Sequence, residues 1–299
     1  MIGKIRSALE HPWTALRRAK VSITRPFIDT PNDLTDHFDK DWDNLVILDA
    51  CRFDMFAANN TIPGDLSKIY SSASHTTDFV KNNLSEPRHD TVYVTASPQV
   101  AGYEDNLHDV VHVWKDRWSE EYSTVLPADT TEVAIQVASQ YPDKRLVVHY
   151  MQPHYPFIGP KRDLIGKIAT YSGGHDDRDH ASVWDLMTAG RVSETTVRAA
   201  YEENLELTLP HVEELIDHLA GKTVVSSDHG NLFNKQVCNF PLRVNGHPMN
   251  YPETEVVAVP WLEVPFDERR RIRGEESVTE PLSDNEKVEK RLSDLGYVE

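Results

Sequence analysis

Leu45-Val46-Ile47-Leu48-Asp49-Ala50-Cys51-Arg52-Phe53-Asp54 places four apolar residues directly before a carboxylate. A short apolar run closed by a polar group reads as a buried strand that delivers a side chain at its carboxyl end. The arrangement returns in Val224-Val225-Ser226-Ser227-Asp228-His229-Gly230-Asn231, where a carboxylate and an imidazole follow the run. Other runs lie at 91–95, 110–114, 146–150 and 256–259. Between them, 131–140 and 193–219 have helical spacing, the second carrying Val197, Tyr201, Leu205, Val212, Leu215, Ile216 and Leu219 on one side. Pro210 should kink or split that helix. Buried strands alternating with amphipathic helices predict an α/β fold: a doubly wound, mostly parallel sheet with helices on both faces.

The composition narrows the class. With 39% hydrophobic residues and six Trp in 299 residues, the chain can bury enough surface to offset its ordering entropy. A net charge of −17 repels phosphate backbones over most of the surface, so no nucleic-acid partner is expected. The excess of acids over lysines is what a protein hydrated in concentrated salt shows. Cys51 and Cys238 can build neither a disulfide framework nor a CxxC zinc site. No apolar run approaches the roughly 20 residues needed to cross a bilayer, and the first 25 residues lack the apolar core of a secretory signal. The expectation is a cytoplasmic protein, peripheral at the inner membrane face if it meets a membrane.

Residues 1–25 stand apart. They carry Lys4, Arg6, Arg17, Arg18, Lys20 and Arg25 against Glu10 alone, about +5, which leaves about −22 for the rest. Ile2, Ile5, Leu9, Trp13 and Leu16 recur at helical steps, giving a basic amphipathic helix that either docks on the acidic body or makes a peripheral contact with an anionic membrane. Three segments are expected: 1–40, a basic amphipathic segment and linker; 41–265, the α/β domain; and 266–299, a charged linker and a docking helix. Residues 160–190 read as an excursion over the site face. His175 and His180 there either bind metal or belong to a solvated loop.

The chemistry-bearing residues follow the strands. Asp49 is either a hard oxygen ligand or a helix cap. Asp228 and His229, with Gly230 permitting a sharp turn, suit a metal ion. In Leu146-Val147-Val148-His149-Tyr150-Met151-Gln152-Pro153-His154-Tyr155-Pro156-Phe157, His154 sits in a loop stiffened by two prolines, placed to donate to an anionic substrate or protonate a leaving group. His149, inside the run, reads as a core histidine. His247, in Asn245-Gly246-His247-Pro248, serves either a site or a surface turn.

Taken in order, Leu48-Asp49-Ala50-Cys51-Arg52-Phe53-Asp54, His149 to Phe157, Ser227-Asp228-His229-Gly230-Asn231, Gly246-His247-Pro248 before Val259-Pro260-Trp261, and Val288 to Glu299 resemble the sulfatase-like branch of the alkaline phosphatase superfamily, in a haloarchaeal type without the formylglycine signature. The resemblance spans residues 43–299. It implies an alkaline phosphatase-like fold and a metal-activated nucleophile that opens a helix, matched here by Thr76 in Ser74-His75-Thr76-Thr77-Asp78. Ser74 is the rival nucleophile, and Thr76 could be an N-cap alone. A helix N-terminus stabilises a bound phosphate, which favours that position. Sulfatases carry a Cys-x-Pro-x-Arg stretch that this chain lacks. Two-metal relatives place an Asp and a His four residues apart, whereas His154 has Ile158 at that spacing.

The resemblance therefore implies one divalent ion (Mn, Zn, Mg or Ca) held by Asp49, Thr76, Asp228 and His229, with Thr76, His154 and His247 as catalytic residues. The implied activity is a metal-dependent hydrolase or transferase acting on phosphate esters, with sulfuric ester hydrolysis as an alternative. The substrate would be an anionic ester, lipid- or glycan-linked in one reading. A third reading is a non-catalytic relative that binds an anionic glycan or lipid headgroup.

Overall fold

The computed structural model describes residues 12–165, 182–237, 241–279 and 285–295. The expected residues Ile2, Ile5, Leu9, His175, His180, Cys238 and Tyr297 lie outside them. Helix α1 (Pro12–Thr24) leads into β1 (Leu34–Thr35), β2 (Asn44–Leu48), α2 (Phe53–Asn59), β3 (Asp65–Ser71) and α3 (Thr76–Asn83). Strands β4 (Arg88–Thr95) and β5 (Leu107–His112) follow, then the short pair β6 (Trp118–Ser119) and β7 (Thr124–Val125), α4 (Pro127–Gln140) and β8 (Arg145–Tyr150). The chain continues through α5 (Arg162–Ile165), α6 (Val183–Thr188), α7 (Glu194–Asp217), β9 (Thr223–Ser226), the hairpin β10 (Leu232–Gln236) and β11 (Arg243–Gly246), α8 (Thr254–Val257), β12 (Ala258–Glu263) and α9 (Asn285–Asp294).

Eight strands form one sheet in the order β1-β3-β12-β9-β2-β8-β4-β5. Only β12 runs antiparallel to its neighbours β3 and β9; the other pairings are parallel. The expected doubly wound, mostly parallel α/β fold is what the chain adopts. Strand β2 shows why its run is apolar throughout: Val46 and Leu48 enter one core and Leu45 and Ile47 the other. Alternate side chains of a strand point to opposite faces, so a strand covered on both sides has no polar face to spare. The first core is closed by α4 and α7 through Ala134, Val197, Leu205 and Val212, and the second by Phe79, Val80 and Trp42.

The elements depart from the sequence reading in four places. Strand β3 has no apolar run because most of its residues are partly exposed; it is specified by pairing with β12. The run at 256–259 divides into the turn α8 and the start of β12, Glu253 capping α8 through the amide of Glu255. Val113 and Trp114 leave β5 for a 3-10 turn. Helix α7 passes through Pro210 without a break.

Residues 266–279 carry no regular structure and strap the body through backbone hydrogen bonds of Arg273 to Asp143, Glu275 to His89 and Val278 to His108. Arg269 grips buried Asp43 with Nε and Nη2 at 2.8 and 2.9 Å. Among the described residues, no helix is long and apolar enough to cross a membrane.

Candidate active site

The parallel registers decide where the polar groups meet. Leu48 pairs with Tyr150, and Ile47 with both His149 and Ser226. The residues that follow β2, β8 and β9 therefore emerge at one edge of the sheet, and β3 delivers α3 to the same edge. At the β2 exit the backbone turns through Ala50 in the left-handed region, φ 57°, a conformation costing a non-glycine residue roughly 1–2 kcal/mol. The Ala50 amide then reaches Asp228 Oδ1 at 2.9 Å, and the Cys51 amide reaches Ser227 Oγ at 2.8 Å. These bonds tie the two motif loops together.

His229 donates from Nδ1 to the Gly230 carbonyl at 2.9 Å. A carbonyl only accepts, so the proton sits on Nδ1 and the Nε2 lone pair is turned inward. Around Nε2 lie Thr76 Oγ1 at 3.2 Å, Asp228 Oδ2 at 3.4 Å and Asp49 Oδ1 at 3.9 Å, all in residues with no solvent exposure. Buried lone pairs that converge in this way repel unless a cation lies between them. Asp228 Oδ2 accepts no hydrogen bond, and neither does His149 Nε2 have a partner. Ligand atoms of Asp49, His149 and Asp228 lie within 4.8 Å of one another. A hard carboxylate pair with imidazole suits a divalent ion of the zinc or manganese kind. Burial pushes the Asp228 carboxyl up, yet the group is held below its usual range, the Ala50 amide that donates to Oδ1 being one cause.

Gly230 departs from its expected role. Its φ is not positive; what favours glycine is close packing, since a Cβ would sit 3.0 Å from the Glu255 carbonyl and 3.1 Å from Arg52 Cγ. Thr76 is not the cap of α3. The cap is His75, in extended conformation, whose Nδ1 accepts the Thr77 amide at 3.1 Å. Thr76 is the first helical residue, fully buried, with its hydroxyl on His229. Ser74 Oγ donates to the Pro248 carbonyl at 2.9 Å and receives the Tyr251 amide at 2.8 Å, so the rival hydroxyl anchors the loop after His247. Cys51 is buried, and burial pushes its thiol well up, away from thiolate chemistry.

His154 and His247, expected to face a substrate's oxygens, lie against each other. His154 Nδ1 donates to the Tyr155 carbonyl, which leaves its Nε2 to face His247 Nε2 at 3.0 Å. The His247 ring stacks on His229 at 4.6 Å and lies 5.1 Å from His75. Burial, then the nearby His229, lowers His154 to about 3, and burial lowers His247 well below its ordinary value.

Sequence reasoning missed three groups. His149 is buried, as a core histidine should be, yet it faces Asp228 Oδ2 at 4.0 Å and accepts or donates at Nδ1 with the Tyr93 hydroxyl at 2.8 Å. His75 capped the helix unnoticed because histidine is not among the usual N-cap residues. His37 lies behind Asp228, with Nε2 3.0 Å from Ser226 Oγ. For His149 the signal was a histidine where an apolar run calls for valine, whereas His75 and His37 stand in polar stretches that carry no such mark.

No family model and no curated protein sequence matches the chain. Its structure is similar to those of phosphoethanolamine transferases and sulfatases. One is the C-terminal periplasmic domain of EcEptC from Escherichia coli in complex with Zn, with 13% identity over 80% of this chain and 77% of that one and a TM-score of 0.45. Another is the soluble domain of lipooligosaccharide phosphoethanolamine transferase A from Neisseria meningitidis, at 11% identity, 74% and 75% coverage and a TM-score of 0.46. A third is a 2-O GAG sulfatase, at 13% identity, 90% and 71% coverage and a TM-score of 0.42.

Proposed function

We propose that the chain is a metal-dependent hydrolase or transferase of phosphate esters that uses the Thr76 hydroxyl as nucleophile, the chemistry residing in residues 41–265. The observation that carries this reading is the buried convergence of the Thr76 hydroxyl and the Asp228 and Asp49 carboxylates on His229 Nε2. Asp49, Asp228, His229 and Thr76 would hold one divalent ion, with His149 as a further donor. The ion, when bound, would lower the pKa of a coordinated hydroxyl and neutralise phosphoryl oxygens.

The chain's own groups account for the rest. Helix α3 holds Thr76 in its first turn, which fixes where the hydroxyl sits beside His229. The Thr76 hydroxyl releases its proton to solvent and the Oγ1–P bond forms as the bond from phosphorus to the leaving oxygen breaks, giving a phosphothreonine that water or an acceptor alcohol then cleaves. His154 and His247 share one proton between their Nε2 atoms. An anionic ester beside them favours the protonated pair, which supplies the proton that the leaving alkoxide takes up. The substrate is an anionic ester, glycan- or lipid-linked, whose phosphate the oxygen and imidazole groups of the site would meet.

The test is turnover of bis(p-nitrophenyl) phosphate by the chain loaded with Mn²⁺ or Zn²⁺, with bound metal counted by mass spectrometry. Thr76→Ala should lose about a thousandfold or more in kcat while retaining metal within roughly tenfold of its affinity. Equal turnover in the variant sinks the nucleophile. Turnover of a sulfate ester but not of the phosphodiester selects sulfuric ester hydrolysis, and metal binding with no turnover of either selects the binding protein.

A further inference from the structure

Helix α3 opens on a residue that capping alone does not explain. His75 stands at its N-cap and takes the Thr77 amide on Nδ1 at 3.1 Å. Asn, Asp and Ser fill an N-cap best, because a short side-chain oxygen reaches the second or third amide of the helix. The local structure therefore asks for a smaller residue than the one the chain supplies. What histidine has and those residues lack is a second nitrogen, one carbon further out. Nδ1 accepts, so the ring is neutral and carries its proton on Nε2. That N–H is a donor which Asn, Asp or Ser at the cap would not provide.

The surroundings of the ring bear on what the donor serves. The His75 ring lies 6.2 Å from that of His229 and 5.1 Å from that of His247, and the next residue is Thr76. Asp49, Thr76, Asp228 and His229 have no solvent exposure and His154 has 1%, whereas His75 and His247 have 8% each. Solvent therefore reaches this cluster at His75 and His247, which stand side by side.

We propose that His75 is a substrate-binding residue whose Nε2–H donates to a non-bridging phosphoryl oxygen of the ester while its Nδ1 holds the start of α3. The inference rests on the phosphate-ester reading of the site and deepens it, giving the phosphate a neutral donor apart from the metal ligands and from His154 and His247. The chemistry suits the place. Asp49 and Asp228 bring negative charge to the site, so a phosphoryl oxygen gains from each N–H donor that is fixed before it arrives. His75 is fixed twice, by the Thr77 amide at Nδ1 and by the ring of His247 beside it. Because one ring both caps α3 and meets the phosphate, the donor moves with the turn that carries Thr76. That coupling keeps donor and nucleophile in register with each other.

Two substitutions separate the nitrogens. Asn carries an acceptor at the place of Nδ1 and nothing at the place of Nε2, so His75→Asn keeps the cap and removes the donor. Gln extends its amide N–H to the place of Nε2 and is a poor cap, so His75→Gln does the reverse. The full chain loaded with Mn²⁺ is titrated with inorganic phosphate by calorimetry and assayed with bis(p-nitrophenyl) phosphate, bound metal and Tm being measured alongside. His75→Asn should keep its metal and its Tm, bind phosphate roughly tenfold or more weaker, and lose about a hundredfold in kcat/KM. His75→Gln should recover most of the phosphate affinity at a lower Tm. A His75→Asn chain with the phosphate affinity and turnover of the parent overturns the proposal and leaves His75 a cap, with the ester reading intact. Loss of Tm, phosphate affinity and turnover together in both variants overturns it as well, since the ring then only holds the loop. Weaker phosphate binding in His75→Asn, in a chain whose parent turns over no ester, upholds the donor and sinks the ester chemistry instead.

Discussion

His149 Nε2 stands 4.0 Å from Asp228 Oδ2, both atoms buried and neither in a hydrogen bond. The separation is too long for a hydrogen bond and suits two donors turned toward one cation. Tyr93 holds the imidazole from behind at Nδ1. A group of this kind orients the ligands and tunes their basicity, and its loss typically weakens metal binding 10–100-fold. His149→Gln should therefore raise the dissociation constant for Zn²⁺ by about that factor in competition with a chromophoric chelator, and Tyr93→Phe by less. An unchanged constant in His149→Gln would make His149 a core residue only.

His37 makes stability pH-dependent beneath the site. Its ring has no solvent exposure, and burial lowers its pKa to about 4 from the usual 6.5. The unfolded chain binds this proton between those values and the folded chain does not. The stability is thus complete above pH 6.5 and is lost as pH falls toward 4, at roughly 1.4 kcal/mol per pH unit. Urea melts of His37→Gln should show a shallower acid limb over that window, and parallel limbs would contradict the assignment.

Ser74 tests the loop after His247. Its hydroxyl satisfies the Pro248 carbonyl and the Tyr251 amide, both buried. Ser74→Ala leaves these groups unpaired at a cost of about 1–3 kcal/mol, measured as a fall in Tm, and should raise KM more than it lowers kcat. A variant as slow as Thr76→Ala with a normal Tm would restore Ser74 as the nucleophile.

Gly230→Ala forces a methyl against the Glu255 carbonyl and Arg52. Overpacking there should cost about 1–3 kcal/mol, and because His229 precedes it, metal affinity should fall together with stability. Stability within about 0.5 kcal/mol of the parent would show that the neighbours yield.

The strands β2, β8 and β9 were legible because burial on both faces demands unbroken apolar runs, a local and periodic property. Asp49, His154, Asp228 and His229 were legible with them, since each follows such a run. Strand β3 was not, because its residues are specified by a distant partner in β12 rather than by their own pattern. The roles of Ser74, Gly230 and His149 were likewise hidden: each depends on which backbone lies across from it.

Sequence alone determined the layered α/β architecture and the polar residues that the strands deliver, because alternation and strand ends are written within a few residues of chain. Tertiary structure decided the rest. The strand order sets which ends become neighbours, so only the folded sheet turns His229 Nε2 toward Asp49, Asp228 and Thr76, places His149 on the same carboxylate, and shows which face of α1 the body leaves to solvent.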